Sequence, residues 1–198
     1  MNDMKNSLIG ACAGVAALSL PLAAQKSGAG AILPPAQQIA AATAAAPAEL
    51  RAGATVLGYD ASKKLVKLRE GTGDMVCLAN DPSGDRFHVA CYHKLLEPFM
   101  ARGRSLRAGG VKGPQVDTVR FKEIKSGALK MPSTPSALYT LTGPPASVDT
   151  TGAKWLYVVY IPGATIANTG ITEKPAAGVP WIMYPGTPKA HIMFSTGM

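Results

Sequence analysis

The sequence predicts an α+β domain: an antiparallel-rich sheet of short strands, one main helix over about residues 95–108, and long Gly/Pro-rich loops. Three observations carry this expectation. Short β-type runs come in pairs joined by turn-forming residues between residues 54 and 93. One later stretch combines a helix start, an apolar face and a helix stop. Strands and helices nowhere alternate at the spacing that a parallel βαβ sheet requires.

The paired runs come first. ATVLGYD and KLVKLRE, joined by ASK, read as a hairpin. GTGDMVCLAN and RFHVACYH, joined by DPSGD, read as a second one. In that turn Pro82 presets φ at the second position and Gly84 follows two residues later. Centring the hairpin on Gly84 sets Cys77 opposite Cys91, Val76 opposite Tyr92 and Met75 opposite His93. Directly opposed residues share a face with Cβ atoms about 4.5–5.5 Å apart, so Cys77 and Cys91 form a candidate disulfide. A slip of one residue would put them on opposite faces.

The main helix lies in LLEPFMARGRSLRAGG. Pro98 suits a first helical position and Gly109–Gly110 suit a stop. Phe99, Met100 and Leu106 share a face, and Arg102, Arg104 and Arg107 are expected to stay in water. Gly103 weakens the helix by up to ~1 kcal/mol relative to alanine. VDTVRFKEI (116–124) fits a strand or a short helix. ALYTLTG and KWLYVVYIP read as strands, the second apolar enough to be central. After Tyr160 a long Gly/Pro-rich segment holds two further short strands, WIMY and AHIMFS. Irregular segments of that length are commonly functional or mobile.

Residues 1–24 read as an export signal: Lys5, an apolar run from Leu8 to Leu20, and small residues before Gln25. The run falls short of the ~20 residues that span a bilayer. Cys12 has too short an apolar stretch before it for a lipoprotein cysteine. Residues 25–50 read as an Ala/Pro-rich linker with room for a short helix in QQIAAATAAA, and residues 51–198 as a single globular domain. The mature chain is expected to carry no transmembrane segment and to be periplasmic or secreted, where disulfides persist.

The formal net charge is +8, and removing residues 1–24 takes away one lysine and one aspartate and leaves it unchanged. In an exported chain that charge points to an anionic envelope polymer or a small anionic ligand. Basic residues gather at Lys63, Lys64, Lys67 and Arg69 and at Arg102, Arg104 and Arg107. Neither group is interleaved with the aromatic residues that single-strand binders use, which argues against nucleic acid.

The chain holds no Gly-rich phosphate loop, no GxSxG elbow and no HExxH. His93, Glu97 and His191 make a candidate set for a divalent metal, although Pro98 argues against the helix that would align His93 with Glu97. Met183, Met193 and Met198 around His191 would suit copper, but methionines in strands are usual core filler. Alternation in AHIMFS sets His191, Met193 and Ser195 opposite Ile192 and Phe194, with the apolar pair expected inward. His88 is expected to be exposed near a hairpin tip. A Cys91/His93 thiol pair is excluded if the disulfide forms. Thr165, Asn168, Thr169, Thr172, Trp181 and Tyr184 are candidate ligand-binding residues of the C-terminal loops; turn formation explains the same residue types. No cofactor is firmly implied. The leading expectation is an exported, soluble, non-enzymatic domain that binds a small or anionic envelope ligand. The alternatives are a metal-binding protein or metal-dependent enzyme built on His93, Glu97 and His191, and a structural envelope-associated protein.

Overall fold

Short strands with few apolar residues must share two faces of a single sheet to bury a core. In a computed structural model of the chain, describing residues 31–145, 149–176 and 178–195, eight strands do so. The signal reading of residues 1–24, Cys12 and Met198 lie outside these residues. The strands are β1 (Thr55–Tyr59), β2 (Leu65–Arg69), β3 (Met75–Leu78), β4 (Arg86–His93), β5 (Ser136–Pro145), β6 (Lys154–Tyr160), β7 (Trp181–Met183) and β8 (His191–Ser195). Their order across the sheet is β2-β1-β3-β4-β5-β6-β8-β7. The sheet is mixed: β3 returns on the far side of β1 from β2 and pairs with β1 in parallel, and every other named pairing is antiparallel.

The β3–β4 register matches the pattern expected from the turn. Cys77 pairs with Cys91, Val76 with Tyr92 and Met75 with His93. The two cysteines form a disulfide in the middle of the sheet, both fully buried. Phe87, Val89 and Cys91 of β4 point to one core, and Tyr92 to another on the opposite face.

The first core is closed by α1 (Pro35–Thr43) and the residues after it. Ala42, Ala45 and Ala46 are almost fully buried against Val56, Cys77, Phe87 and Cys91. Much of the segment expected to be a linker is therefore core. Small side chains let the helix approach the sheet closely, which is a second reason for an Ala-rich sequence besides flexibility. Buried Gln38 pins the helix to the sheet. Its amide donates to the carbonyls of Leu33 and Tyr59, each at 2.8 Å, and its oxygen accepts from the Tyr59 N–H at 2.8 Å. A side chain thus supplies β1 with a hydrogen-bond pair of the kind a neighbouring strand would.

The other face carries α3 (Glu97–Ala108) and α4 (Gln115–Lys125). Phe99, Gly103 and Leu106 form the buried side of α3. The expectation of one main helix is corrected: VDTVRFKEI is the helix α4, nearly as long as α3. Val116 and Arg120, one helical turn apart, form the buried side of α4, and Arg120 reaches the Phe99 carbonyl of α3. Arg102 is not simply in water either. It forms a fork-like pair with Glu123 of α4, Nη2 to Oε1 at 2.6 Å and Nε to Oε2 at 2.9 Å. A Cβ at Gly103 would stand 2.9 Å from the Arg120 guanidinium, so the glycine admits that side chain between the two helices. Two short helices, α2 (Ala48–Arg51) and α5 (Ile166–Thr169), complete the described elements. Among the described residues no helix is long and apolar enough to cross a membrane.

Two expectations follow for stability. Replacing Cys77 and Cys91 together by alanine releases a loop of about 15 residues and lowers the unfolding free energy by ~3 kcal/mol. Urea titration checks this, and a loss below ~1 kcal/mol would show that the bridge adds nothing to the sheet's own pairing. Gln38→Ala orphans the Tyr59 N–H and C=O, which are partly buried and cost ~1–2 kcal/mol each, an expected loss of ~2–4 kcal/mol in the same titration. An unchanged midpoint would mean that water takes over the Gln38 bonds.

Candidate ligand-binding cleft

Arg104 and Arg107 are three residues apart, and so stand on one side of α3. That side faces the sheet across an open cleft of about 950 Å³. The β1–β2 turn contributes Lys63 and Lys64, the β3–β4 turn contributes Asp81 and Asp85, and β4 contributes Arg86 and His88. The β4–β5 pairing is irregular between Arg86 and His88, a type of break that re-aims side chains near sites. A smaller inner pocket of about 240 Å³ shares Leu78, His88, Arg104 and Arg107 with the cleft. It adds Tyr92, Thr140 and Tyr160 from the sheet, Arg120 from α4 and Lys189 from the C-terminal loop.

Two ionic networks shape the inner pocket. In the first, the Tyr92 hydroxyl donates to Glu97 Oε2 at 2.5 Å, and Arg104 donates to the Tyr92 oxygen at 2.8 Å and to Glu97 Oε1 at 2.6 Å. Burial, with the carboxylate beside it, pushes the Tyr92 hydroxyl's pKa far up despite the opposing pull of Arg104. Burial works against the charge on Arg104, but Tyr92 and Glu97 outweigh it and raise its pKa. In the second network, Asp117 pairs with Arg120 and accepts from Lys189 Nζ at 2.8 Å. Burial alone would raise the Asp117 pKa; the bonds from Lys189 and Arg120 lower it instead. The Arg120 guanidinium also donates to the Phe99 carbonyl at 3.1 Å and lies 3.6 Å from the centroid of the Phe99 ring. Lys189 Nζ stands 4.1 Å over the Tyr184 ring.

The residues singled out from the sequence are scattered through this fold. His93 accepts from the Leu95 N–H and caps the turn that leads into α3. Glu97 reaches back to Tyr92, on the opposite face of β4 from His93. His191 is buried, not open to solvent. Its ring stacks on Tyr160 at 4.9 Å, and Nδ1 lies 2.7 Å from the Lys189 carbonyl. Burial lowers its pKa. His88 is exposed, as its place near the hairpin tip suggests; its Nδ1 bonds Thr142 Oγ1 at 2.9 Å, and partial desolvation of the ring lowers its pKa too. The apolar pair on β8 divides. Ile192 is buried and Phe194 is exposed, because the second core claims the His191/Met193 face. His93, Glu97 and His191 are therefore not brought together, and among the described residues no group of three His, Cys, Asp or Glu side chains could hold a metal ion.

The C-terminal candidates are largely occupied locally. Thr165 and Asn168 form a reciprocal cap on α5, and Thr169 Oγ1 donates to the Thr165 carbonyl at 2.7 Å. Thr172 Oγ1 accepts from the Lys174 N–H. Trp181 is half-buried on the edge strand β7. Tyr184 is exposed, with φ of 55°, and carries its ring against His191 and Lys189. What that segment brings to the inner pocket is Lys189. Sequence reasoning overlooked it, along with Arg120, Tyr92 and Tyr160, because no local pattern distinguishes them from turn, surface or core residues.

The Asp117 pKa is lowered in the folded state. Its pairing therefore stabilises the fold fully above the ordinary carboxylate value of 3.8 and ceases to do so as the pH falls below it. Asp117→Asn is expected to be less stable at neutral pH and to lose less further stability between about pH 5 and pH 3. Denaturant titrations of both proteins across that range check the sign; parallel curves would show that Asp117 is not a stabilising carboxylate. Comparison of the chain with protein-family models, curated proteins and solved structures finds no match.

Proposed function

We propose that this chain is an exported, non-enzymatic binding domain whose cleft between α3 and the sheet holds a small anionic ligand. One observation carries the reading: the cleft is lined by five cationic side chains, Lys63, Lys64, Arg86, Arg104 and Arg107, against two carboxylates, Asp81 and Asp85. Its volume is in the range that encloses a small molecule. Arg107, shared by both compartments, has no ion pair or side-chain hydrogen bond of its own among the described residues.

Binding is favoured over catalysis because the titratable groups around the inner pocket are tied to one another. Glu97 is bonded to Tyr92 and Arg104, and Asp117 to Arg120 and Lys189. Tyr59 and Tyr160 are both pushed up to about 12, chiefly by burial, and hold their protons at neutral pH. Groups so fixed orient a ligand better than they exchange protons with it. The buried disulfide supports an oxidising compartment.

The test is amide chemical-shift mapping with a panel of small organic anions at low and high salt. The expected shifts fall on α3 and β4 and weaken as salt screens the cleft. Arg107→Glu is expected to reduce affinity at least ~tenfold with an unchanged melting temperature, since it breaks no existing pair. Shifts confined to other surfaces, or an Arg107→Glu protein that binds normally, would sink the reading.

A further inference from the structure

We infer that the inner pocket is a site for a phosphate monoester, with the outer cleft taking the organic body of the same small molecule. This rests on the anionic-ligand reading and narrows it to a chemical class. Four cations line the pocket: Arg104, Arg107, Arg120 and Lys189. Two carboxylates are in contact with them, Glu97 on Arg104 and Asp117 on Arg120 and Lys189. Two positive charges remain in a space of about 240 Å³. A carboxylate would cancel one of them. A phosphate monoester carries a charge of about −1.5 to −2 at neutral pH and cancels both.

The donors match that class as well. Arginine guanidinium groups present planar forks that fit phosphate oxygens, and Arg107 is free to do so. Arg120 is 4% exposed, and its Nε is the one buried side-chain nitrogen or oxygen without a partner among the described residues. That nitrogen is itself out of solvent's reach, so what Arg120 brings to the pocket is the charge of its guanidinium rather than a free donor. The Tyr160 hydroxyl on the same wall keeps its proton at neutral pH and adds a neutral donor. His88 and Leu78 lie where the inner pocket opens into the larger cleft, which leaves room for the rest of the molecule.

The experiment is calorimetry with phenyl phosphate and benzoate, two probes with one aromatic body and different charge. Phenyl phosphate is expected to bind at least ~tenfold more tightly. Lys189→Gln, which alters the inner pocket alone, is expected to lose about tenfold of that affinity, and Lys63→Gln, which alters the outer cleft alone, less than about twofold. Thermal melts confirm that each variant is folded. If Lys189→Gln is not, Tyr160→Phe replaces it, with an expected loss of at least ~threefold, because that side chain lines the inner pocket alone and the change removes only its hydroxyl. Equal binding of both probes, with cleft shifts retained, overturns the phosphate site and leaves the anion-binding reading standing. Equal losses for Lys63→Gln and Lys189→Gln overturn it too, by placing the phosphate in the outer cleft. Binding of neither probe defeats both readings.

Discussion

The pairing of β4 with β3 is the constraint on which the rest of the molecule depends. Strand β4 is central and is covered on both faces, so its register decides which side chains enter which core. Phe87, Val89 and Cys91 go to the α1 face, and Tyr92 goes to the α3 face. A slip of one residue would exchange the two sets. The disulfide can form only in the register that opposes Cys77 to Cys91, so it selects this arrangement as well as stabilising it. Tyr92 then stands where Glu97 and Arg104 can reach its hydroxyl, which ties the first and third turns of α3 to the sheet.

The cleft follows from how α3 is held. Its buried side, Phe99, Gly103 and Leu106, is given to the core and to α4. Its flank, with Arg104 and Arg107, cannot be buried in apolar surroundings and stands off the sheet. A larger residue at position 103 would displace Arg120, whose guanidinium joins α4, the Phe99 ring and Asp117. Gly103 therefore exchanges helix propensity for close packing between helices. Lys189 enters from the C-terminal loop and completes the Asp117 network, so α4 and that loop are joined through one carboxylate.

The second hairpin was legible down to its register, because Asp-Pro-Ser-Gly-Asp is strong turn chemistry and two cysteines stand symmetrically about it. The bounds of α3 were legible from Pro98 and Gly109. Other parts were not, for reasons that differ. The Ala-rich segment at 35–46 looks like a linker because alanine suits both a flexible chain and a helix pressed against a sheet; only the partner decides. VDTVRFKEI has no cap or clear period, and its helix is set by the Arg102–Glu123 pair and by Arg120, both contacts to α3. On strand β8 the inward placing expected of Ile192 and Phe194 holds for Ile192 alone, and His191 is buried although Phe194 is more apolar. Tyr160 stacks on the histidine, whereas Phe194 stays exposed beside Tyr157. Arg104 and Arg107 were noticed as a basic cluster, but Arg120 and Lys189 join them only through tertiary structure.

One other surface competes for attention. On the α1 side of the sheet, beyond the reach of that helix, Tyr139, Tyr157 and Phe194 stand in register across three strands, with Trp155 beside them. Trp155, Tyr157 and Phe194 are each exposed by only 37–38%, and Tyr139 and Tyr157 meet edge to face at 5.8 Å. Rings that cover one another on an open sheet are accounted for by cross-strand packing, and partly exposed apolar side chains are normal. The cleft is different in kind. Cations gathered in a concavity repel one another, and packing does not relieve that repulsion. The aromatic row is satisfied as it stands, whereas the cleft has an excess of positive charge that an anion would balance. That asymmetry is why the proposed site lies on the α3 side of the sheet and not on the aromatic row.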